Sequence, residues 1–334
     1  MVSRLLWFPL KLALWALASI AMLGLVLAVM IATPIVRPPE LASLSKTARA
    51  VDRSTMPGLT HFRGRDGTEL AYRYYPARGP ATGLAAIVIH GSSGSSMAVH
   101  ALSDALAARG IETFAPDIRG HGGSGTRGDI AYIGQLEDDL ADFVAEVRKT
   151  APSAPITLLG HSAGGGFALR VASSPIHNLF ARTVLLAPYL GYDAPTNRPN
   201  SGGWASPDIP RFLALATLRK IGIECCDALP TLAFAVPANS ASILTPTYSY
   251  RLMRNFATRG YRSDLAEIGR PLTLISGADD ELMLAEKYAE ALHAVRPSAD
   301  VKLIDGIDHM GIVSTAKAVN AVADDVAMRG GAGT

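Results

Sequence analysis

The sequence has little cysteine: its 334 residues include only Cys225 and Cys226. Adjacent residues joined by a trans peptide have Cα atoms about 3.8 Å apart, closer than ordinary disulfide geometry allows. A disulfide framework is therefore excluded, and the redox compartment cannot be read from cysteine usage. Two neighbouring thiols are also too few for a structural zinc site, so packing in a helix is the expectation for the pair. Charge of one sign is equally scarce. The 31 basic and 29 acidic residues leave a formal charge of +2 with no block of like charge, which argues against nucleic acid as a partner. The chain shows no internal repeat. At this length, one large α/β domain with an appendage can bury a core unaided by metals or disulfides.

What is present begins with a run that carries no charge, residues 12–33 (LALWALASIAMLGLVLAVMIAT). As a helix it is long enough to cross roughly 30 Å of hydrocarbon. A cleaved signal peptide is the rival, given the basic start at Arg4 and Lys11. The run exceeds a typical signal core and no good small-x-small site follows it, so residues 1–33 are read as an uncleaved, single-pass membrane anchor. A buried core helix would need apolar partners on every side. Arg37, Lys46, Arg49 and Arg53 follow the run, so the charge rule does not orient it. The expectation is an exported catalytic domain, because long downstream domains translocate largely regardless of flanking charge.

Residues 34–58 contain Pro34, Pro38, Pro39 and Pro57 without sustained periodicity, which suits a tether. Residues 59–188 and 269–334 read as two parts of one core. HFRGRDGTELAYRYYP predicts a hairpin turning at Asp66-Gly67. Beyond it, apolar runs (LAAIVIHG, IETFAPD, PITLLG, TVLLAP, PLTLISG, VKLIDG) alternate with helical patterns, including Gln135 to Lys149, one from about Gly164, and one around 282–296. Such alternation means βα units on a mostly parallel, doubly wound sheet. Between Pro188 and Pro271 lie about 80 residues, far beyond ordinary loop length, so 189–268 reads as an inserted lid. Its helical pieces are FLALATLRKIG and YSYRLMRNFA, with a disordered excursion at 193–208 as an alternative.

The run PITLLG leads into Gly160-His161-Ser162-Ala163-Gly164 and then a helical pattern, so a GxSxG motif falls on a strand-to-helix turn. There small flanking residues let the backbone pass closely while Ser162 is held out over the sheet edge. A serine is a weak nucleophile and needs a histidine base oriented by a carboxylate, in the chain order Ser, acid, His. Of eight histidines only His177, His293 and His309 follow the motif. His177 precedes any plausible acid and His293 lies in an amphipathic run, which leaves His309, just after VKLIDG. Catalytic groups of open α/β sheets gather at such strand ends. The acid should follow PLTLISG, where Asp280 is preferred to Asp279 by motif register; Glu281 is a third candidate, and a helix cap explains whichever aspartate is not used. For the oxyanion, Ala163 supplies one amide and Ser92 the second, with Gly91 and Ser93 as alternatives. His90 reads as a structural hydrogen-bonding residue. Asp117 to Gly122, with Ser124, reads as scaffold in which His121 could touch substrate.

HGSSGS, DIRGHGGS, GHSAGG, GADDE and DHMG, in this order, resemble the successive motifs of the α/β-hydrolase superfamily over about residues 60–325. The DxRGHGxS and GHSxGG forms are most similar to monoacylglycerol lipase and lysophospholipase-like members. That resemblance implies ester hydrolysis beneath a lid, with nucleophile, acid and base at Ser162, Asp280 and His309. It implies no cofactor or metal. The anchor and the proline-rich start of the lid depart from the pattern. The expected activity is cleavage of carboxylic esters, lipid or otherwise amphiphilic, met at a membrane surface. An amidase, peptidase or acyltransferase on the same fold is the first alternative, and a non-catalytic tethered binding protein the second. Serine at 162 disfavours an Asp-nucleophile dehalogenase or epoxide hydrolase.

Overall fold

Apolar runs that alternate with amphipathic ones fold into one eight-stranded sheet with helices on both faces. The computed structural model describes residues 2–237 and 244–330. The lid stretch 238–243 and the end of the second core segment, 331–334, lie outside the described residues. The first helix, α1 (Val2–Ile31), is followed by α2 (Ala42–Arg49). The strands are β1 (Thr60–Arg63), β2 (Glu69–Tyr75), β3 (Ala85–Ile89), β4 (Glu112–Pro116), β5 (Ile156–His161) and β6 (Arg182–Leu186). Helices α3 (His100–Ala108), α4 (Gln135–Thr150) and α5 (Ala163–Ala172) are interleaved with them.

The segment after β6 carries β7 (Ala205–Pro207), α6 (Ile209–Lys220), β8 (Pro230–Phe234), β9 (Thr247–Ser249), α7 (Tyr250–Asn255) and α8 (Tyr261–Glu267). Then β10 (Leu272–Gly277), α9 (Tyr288–His293), β11 (Asp300–Ile304) and α10 (Ala316–Gly330) complete the sheet and its cover. The strand order is β1-β2-β4-β3-β5-β6-β10-β11. β1, β2 and β4 pair antiparallel, and every pairing from β4 through β3 to β11 is parallel.

The central strands are apolar on both faces, as a sheet covered twice requires. Ile87, Ile89, Leu158, Leu185 and Leu274 face one core with α4 and α5 residues such as Leu140 and Phe167. Their neighbours Val88, Leu159, Val184, Leu186 and Ile275 face the other, with Leu102 and Leu106 of α3 and Val322 and Val326 of α10. The period of two along each strand thus divides the side chains between two layers. The hairpin turns where expected: Thr60 opposes Tyr72 and Arg63 opposes Glu69.

Three features differ from expectation. First, the lid is not purely helical, because β7, β8 and β9 form a small antiparallel sheet. Pro207 closes β7 and Pro230 opens β8, positions where a missing N–H is tolerated, and so gave the stretch an irregular look in sequence. Second, residues 34–58 are not a plain tether: α2 lies within them, with Leu44 buried in the main core. Third, Cys225 and Cys226 sit in a turn after α6 rather than in a helix, as free thiols with Sγ atoms 3.1 Å apart. Residues 193–208 are folded within the segment between β6 and β10, and Asn197 bridges Met283.

Within α1, Trp7–Ile31 is long and apolar enough to cross a membrane. Its described side chains are mostly exposed, Leu27 being the buried exception. The helix end is fixed to the lid. Thr33 Oγ1 donates to the Asp208 carboxylate at 2.9 and 3.0 Å, and Arg211 Nε donates to the Ile31 carbonyl at 2.8 Å.

Candidate active site

The candidate residues all stand at the carboxyl ends of parallel strands, where an open α/β sheet presents its loops. Ser162 follows β5, Ser92 follows β3, Asp280 follows β10 and His309 follows β11. Ser162 occupies the turn between β5 and α5 with φ 54° and ψ −119°. This conformation is costly for a residue with a Cβ and persists only where surrounding packing enforces it. Here the enforcement is close approach. A Cβ on Gly160 would lie 2.1 Å from the Gly164 carbonyl oxygen, and one on Gly164 would lie 2.3 Å from that of His90. The Ser162 amide donates to Leu186 O at 2.9 Å, and its carbonyl accepts from Gly165, Gly166 and Tyr189.

His309 is buried, and its Nδ1–H donates to Asp280 Oδ2 at 2.8 Å. Asp280 Oδ1 accepts from the amides of Leu282 and Met283, each at 2.8 Å, so one oxygen is tied to the backbone and the other to the ring. Burial pushes this carboxyl up. The His309 charge and hydrogen bond, with the two amides, outweigh it and hold Asp280 below the usual carboxylate range. For His309 burial pushes down, but Asp280, Glu281 and Asp308 together raise it above an ordinary histidine. Asp279 is exposed, and its amide donates to Ile307 O at 3.1 Å. Glu281 does touch the loop, though not the ring: its Oε2 accepts from the His309 amide at 2.8 Å.

The two candidate oxyanion donors are the Ser92 and Ala163 amides. Ala163 opens α5, so its N–H has no acceptor within the helix and lies at the positive end of the helix dipole. Ser93 is unsuited to the role, because its amide donates to Tyr248 Oη at 2.7 Å. Gly91 packs against the turn that carries Ser162, a Cβ there lying 3.1 Å from that of Ser162. Among the described residues no hydrogen bond joins Ser162 Oγ to His309 Nε2. Such bonds are commonly long until the substrate complex forms.

Several participants carried no signal in the sequence. His161 Nε2–H donates to the His309 carbonyl at 3.0 Å, and burial, then His309 itself, pushes His161 down to about 3. A neutral His161 adds no second positive charge beside a protonated His309. Arg198 of the lid donates to the Asp280 and Met283 carbonyls and steadies the acid's turn. Trp204 Nε1–H donates to Ser92 Oγ at 2.8 Å, which brings a side chain from the segment between β6 and β10 onto the loop after β3.

His90 and His121 are scaffold. His90 Nδ1–H donates to Gly91 O, and its Nε2 accepts from Ile118 N. His121 donates through Nδ1 to Ile118 O, which leaves Nε2 to accept from Tyr248 Oη. Burial lowers both histidines, so both are neutral. Tyr248 belongs to the segment between β6 and β10, so this buried chain, with the Thr245 amide on Ser93 O, ties that segment to the core.

The family described as serine aminopeptidase, S33 matches residues 82–313. A monoglyceride lipase of Homo sapiens is 33% identical over 152 residues, 45% of this chain and 48% of that protein. The matched stretch thus spans about half the length of that curated relative. A monoglyceride lipase of Saccharomyces cerevisiae is 24% identical over 302 residues, 82% of this chain and 93% of that protein. The crystal structure of a soluble variant of the Saccharomyces cerevisiae enzyme, in complex with a substrate analogue, superposes with a TM-score of 0.66. It is 21% identical and covers 84% of this chain and 96% of that one, a likeness of α/β-hydrolase fold.

Proposed function

Because the chain belongs to the serine aminopeptidase S33 family of α/β hydrolases, we propose that it hydrolyses lipid-like carboxylic esters, of monoacylglycerol or lysophospholipid type. The observation that supports this most is the buried Asp280–His309 pair at the sheet edge where Ser162 is held in its strained turn. With Nδ1–H committed to Asp280, His309 presents a lone pair at Nε2. Nε2 takes the Ser162 proton as Oγ adds to the acyl carbonyl, and Asp280 stabilises the imidazolium. The Ser92 and Ala163 amides receive the oxyanion. Nε2 returns the proton to the departing alcohol, and water, deprotonated by the same nitrogen, releases the acid.

The lipid-like substrate class rests on the relatives named monoglyceride lipase and on the apolar helix joined to the lid. We read Trp7–Ile31 as a membrane anchor and place the catalytic body on the exported side. A panel of short and long p-nitrophenyl esters, monoacylglycerol, lysophosphatidylcholine and aminoacyl amides tests the reading. Turnover of the esters is expected to exceed that of the amides. Faster cleavage of the amides would favour the peptidase alternative that the family's description carries.

The raised pKa of His309 has a pH consequence. The neutral imidazole is the base, so kcat/KM on a soluble ester is expected to fall on the acid side, through an apparent pKa above the ordinary histidine value of about 6.5. The anions whose charge acts on the ring are Asp280, in direct contact, and Glu281 and Asp308 from the loop, and neutral His161 adds no charge. Asp280→Asn removes the nearest anion, so the residual activity is expected to keep its acid limb to a lower pH. An unmoved limb in that variant would contradict the assignment.

A further inference from the structure

The stretch between the apolar helix and the hydrolase core touches the site at a point that neither the anchor nor the triad accounts for. After the contacts of Ile31 and Thr33 with Asp208 and Arg211, the chain crosses the lid, where the Leu41 amide donates to Ala235 O at 3.3 Å. Ala235 in turn donates to Trp204 O, and Trp204 holds Ser92 Oγ. Leu44 of α2 is buried in the main core at 6% exposure, with Leu41 packed against the same cluster. One turn further on, Thr47 Oγ1 donates to Asp308 Oδ2 at 2.9 Å.

Asp308 immediately precedes His309. Its Oδ1 accepts from the Gly311 amide at 2.6 Å, so its two oxygens tie together the loop that carries the histidine and the helix that arrives from the membrane side. The His309 amide is held separately by Glu281. The ring itself is held by Asp280 on one edge, and its own carbonyl by His161. The loop is therefore held at its backbone by Glu281, His161 and the Asp279 amide and at the ring by Asp280, and Thr47, through the Asp308 side chain, is the partner contributed by the segment outside the hydrolase core.

We propose that residues 34–50 are a strap rather than a spacer, pinned to the lid at Leu41 and to the His309 loop at Thr47, and that Thr47 is a positioning residue for His309. The proposal rests on the reading of His309 as the base. The Thr47 hydroxyl keeps Asp308 turned toward α2, and Asp308 fixes where the loop sets the imidazole relative to Ser162. A misplacement of about an ångström in a reacting group is enough to cost rate without loss of fold. The strap also ties the end of the apolar helix, through the lid, to the catalytic loop.

The test compares full-length Thr47→Val and Thr47→Ser in detergent, with p-nitrophenyl butyrate as a soluble ester and a fluorophosphonate as a probe of Ser162 reactivity. Val keeps the volume of Thr on a half-buried helix face, so the variant should stay folded, with the lost hydrogen bond lowering the thermal midpoint by no more than about 10 °C. Misplacement of the imidazole predicts a fall in kcat of about 10-fold. KM should be unchanged, the labelling rate should fall by the same factor, and Thr47→Ser should recover most of both. A Thr47→Val protein with wild-type kcat and labelling rate overturns the strap, as do equal losses in both variants. Turnover that survives His309→Ala removes instead the reading of the site on which the strap depends.

Discussion

Ser162→Ala is expected to lower kcat on p-nitrophenyl butyrate by about 10⁴ to 10⁶ while leaving the protein folded. The size follows from what is lost and what stays. On the proposed mechanism the variant loses the atom that forms the acyl-enzyme, but keeps the Ala163 and Ser92 amides and the segment between β6 and β10. Oxyanion stabilisation and binding alone still leave a residual acceleration of about 10³ to 10⁴ over water. Stability should change little, because Ala meets the same positive φ as Ser and the Ser162 hydroxyl makes no hydrogen bond among the described residues. Active-site-titrated turnover checks this. A drop of less than tenfold would mean that another group attacks the ester.

Asp280→Asn is expected to cost about 10⁴ in kcat, with Asp279→Asn close to wild type. Asn at 280 can still accept from Leu282 and Met283 through its carbonyl oxygen. It then presents its NH₂ to His309 Nδ1, which favours the tautomer with the proton on Nε2, where the base needs a lone pair. Asp279 is exposed one residue earlier, and its amide, which the substitution keeps, supplies its bond to Ile307. Parallel kcat measurements on the two variants decide between them. Loss confined to Asp279→Asn would place the acid one residue earlier.

Much of this arrangement was legible in the sequence because it depends on local order. A run that ends in Gly160-His161-Ser162-Ala163-Gly164 and passes into a helical pattern can be placed on a strand-to-helix turn by pattern alone. Chain order then isolated His309. The choice between Asp279 and Asp280 needed the turn itself, since only the backbone after Gly277 decides which carboxylate points inward. The strap and the lid sheet were illegible for a different reason. Their stability comes from contacts with residues far away in the chain: Leu44 with the core, Thr47 with Asp308, Tyr248 with His121. Short segments of this kind leave no periodicity, because tertiary packing rather than local propensity holds them. The same holds for Trp204 and Arg198, which reach the site from a stretch rich in Pro, Asn and Gly.

Covalent labelling by a fluorophosphonate, with the modified peptide located by mass spectrometry, tests the central claim most directly. A single adduct on Ser162 is expected in the wild type, with no labelling of Ser162→Ala. An adduct on another serine, or equal labelling of both proteins, would contradict it.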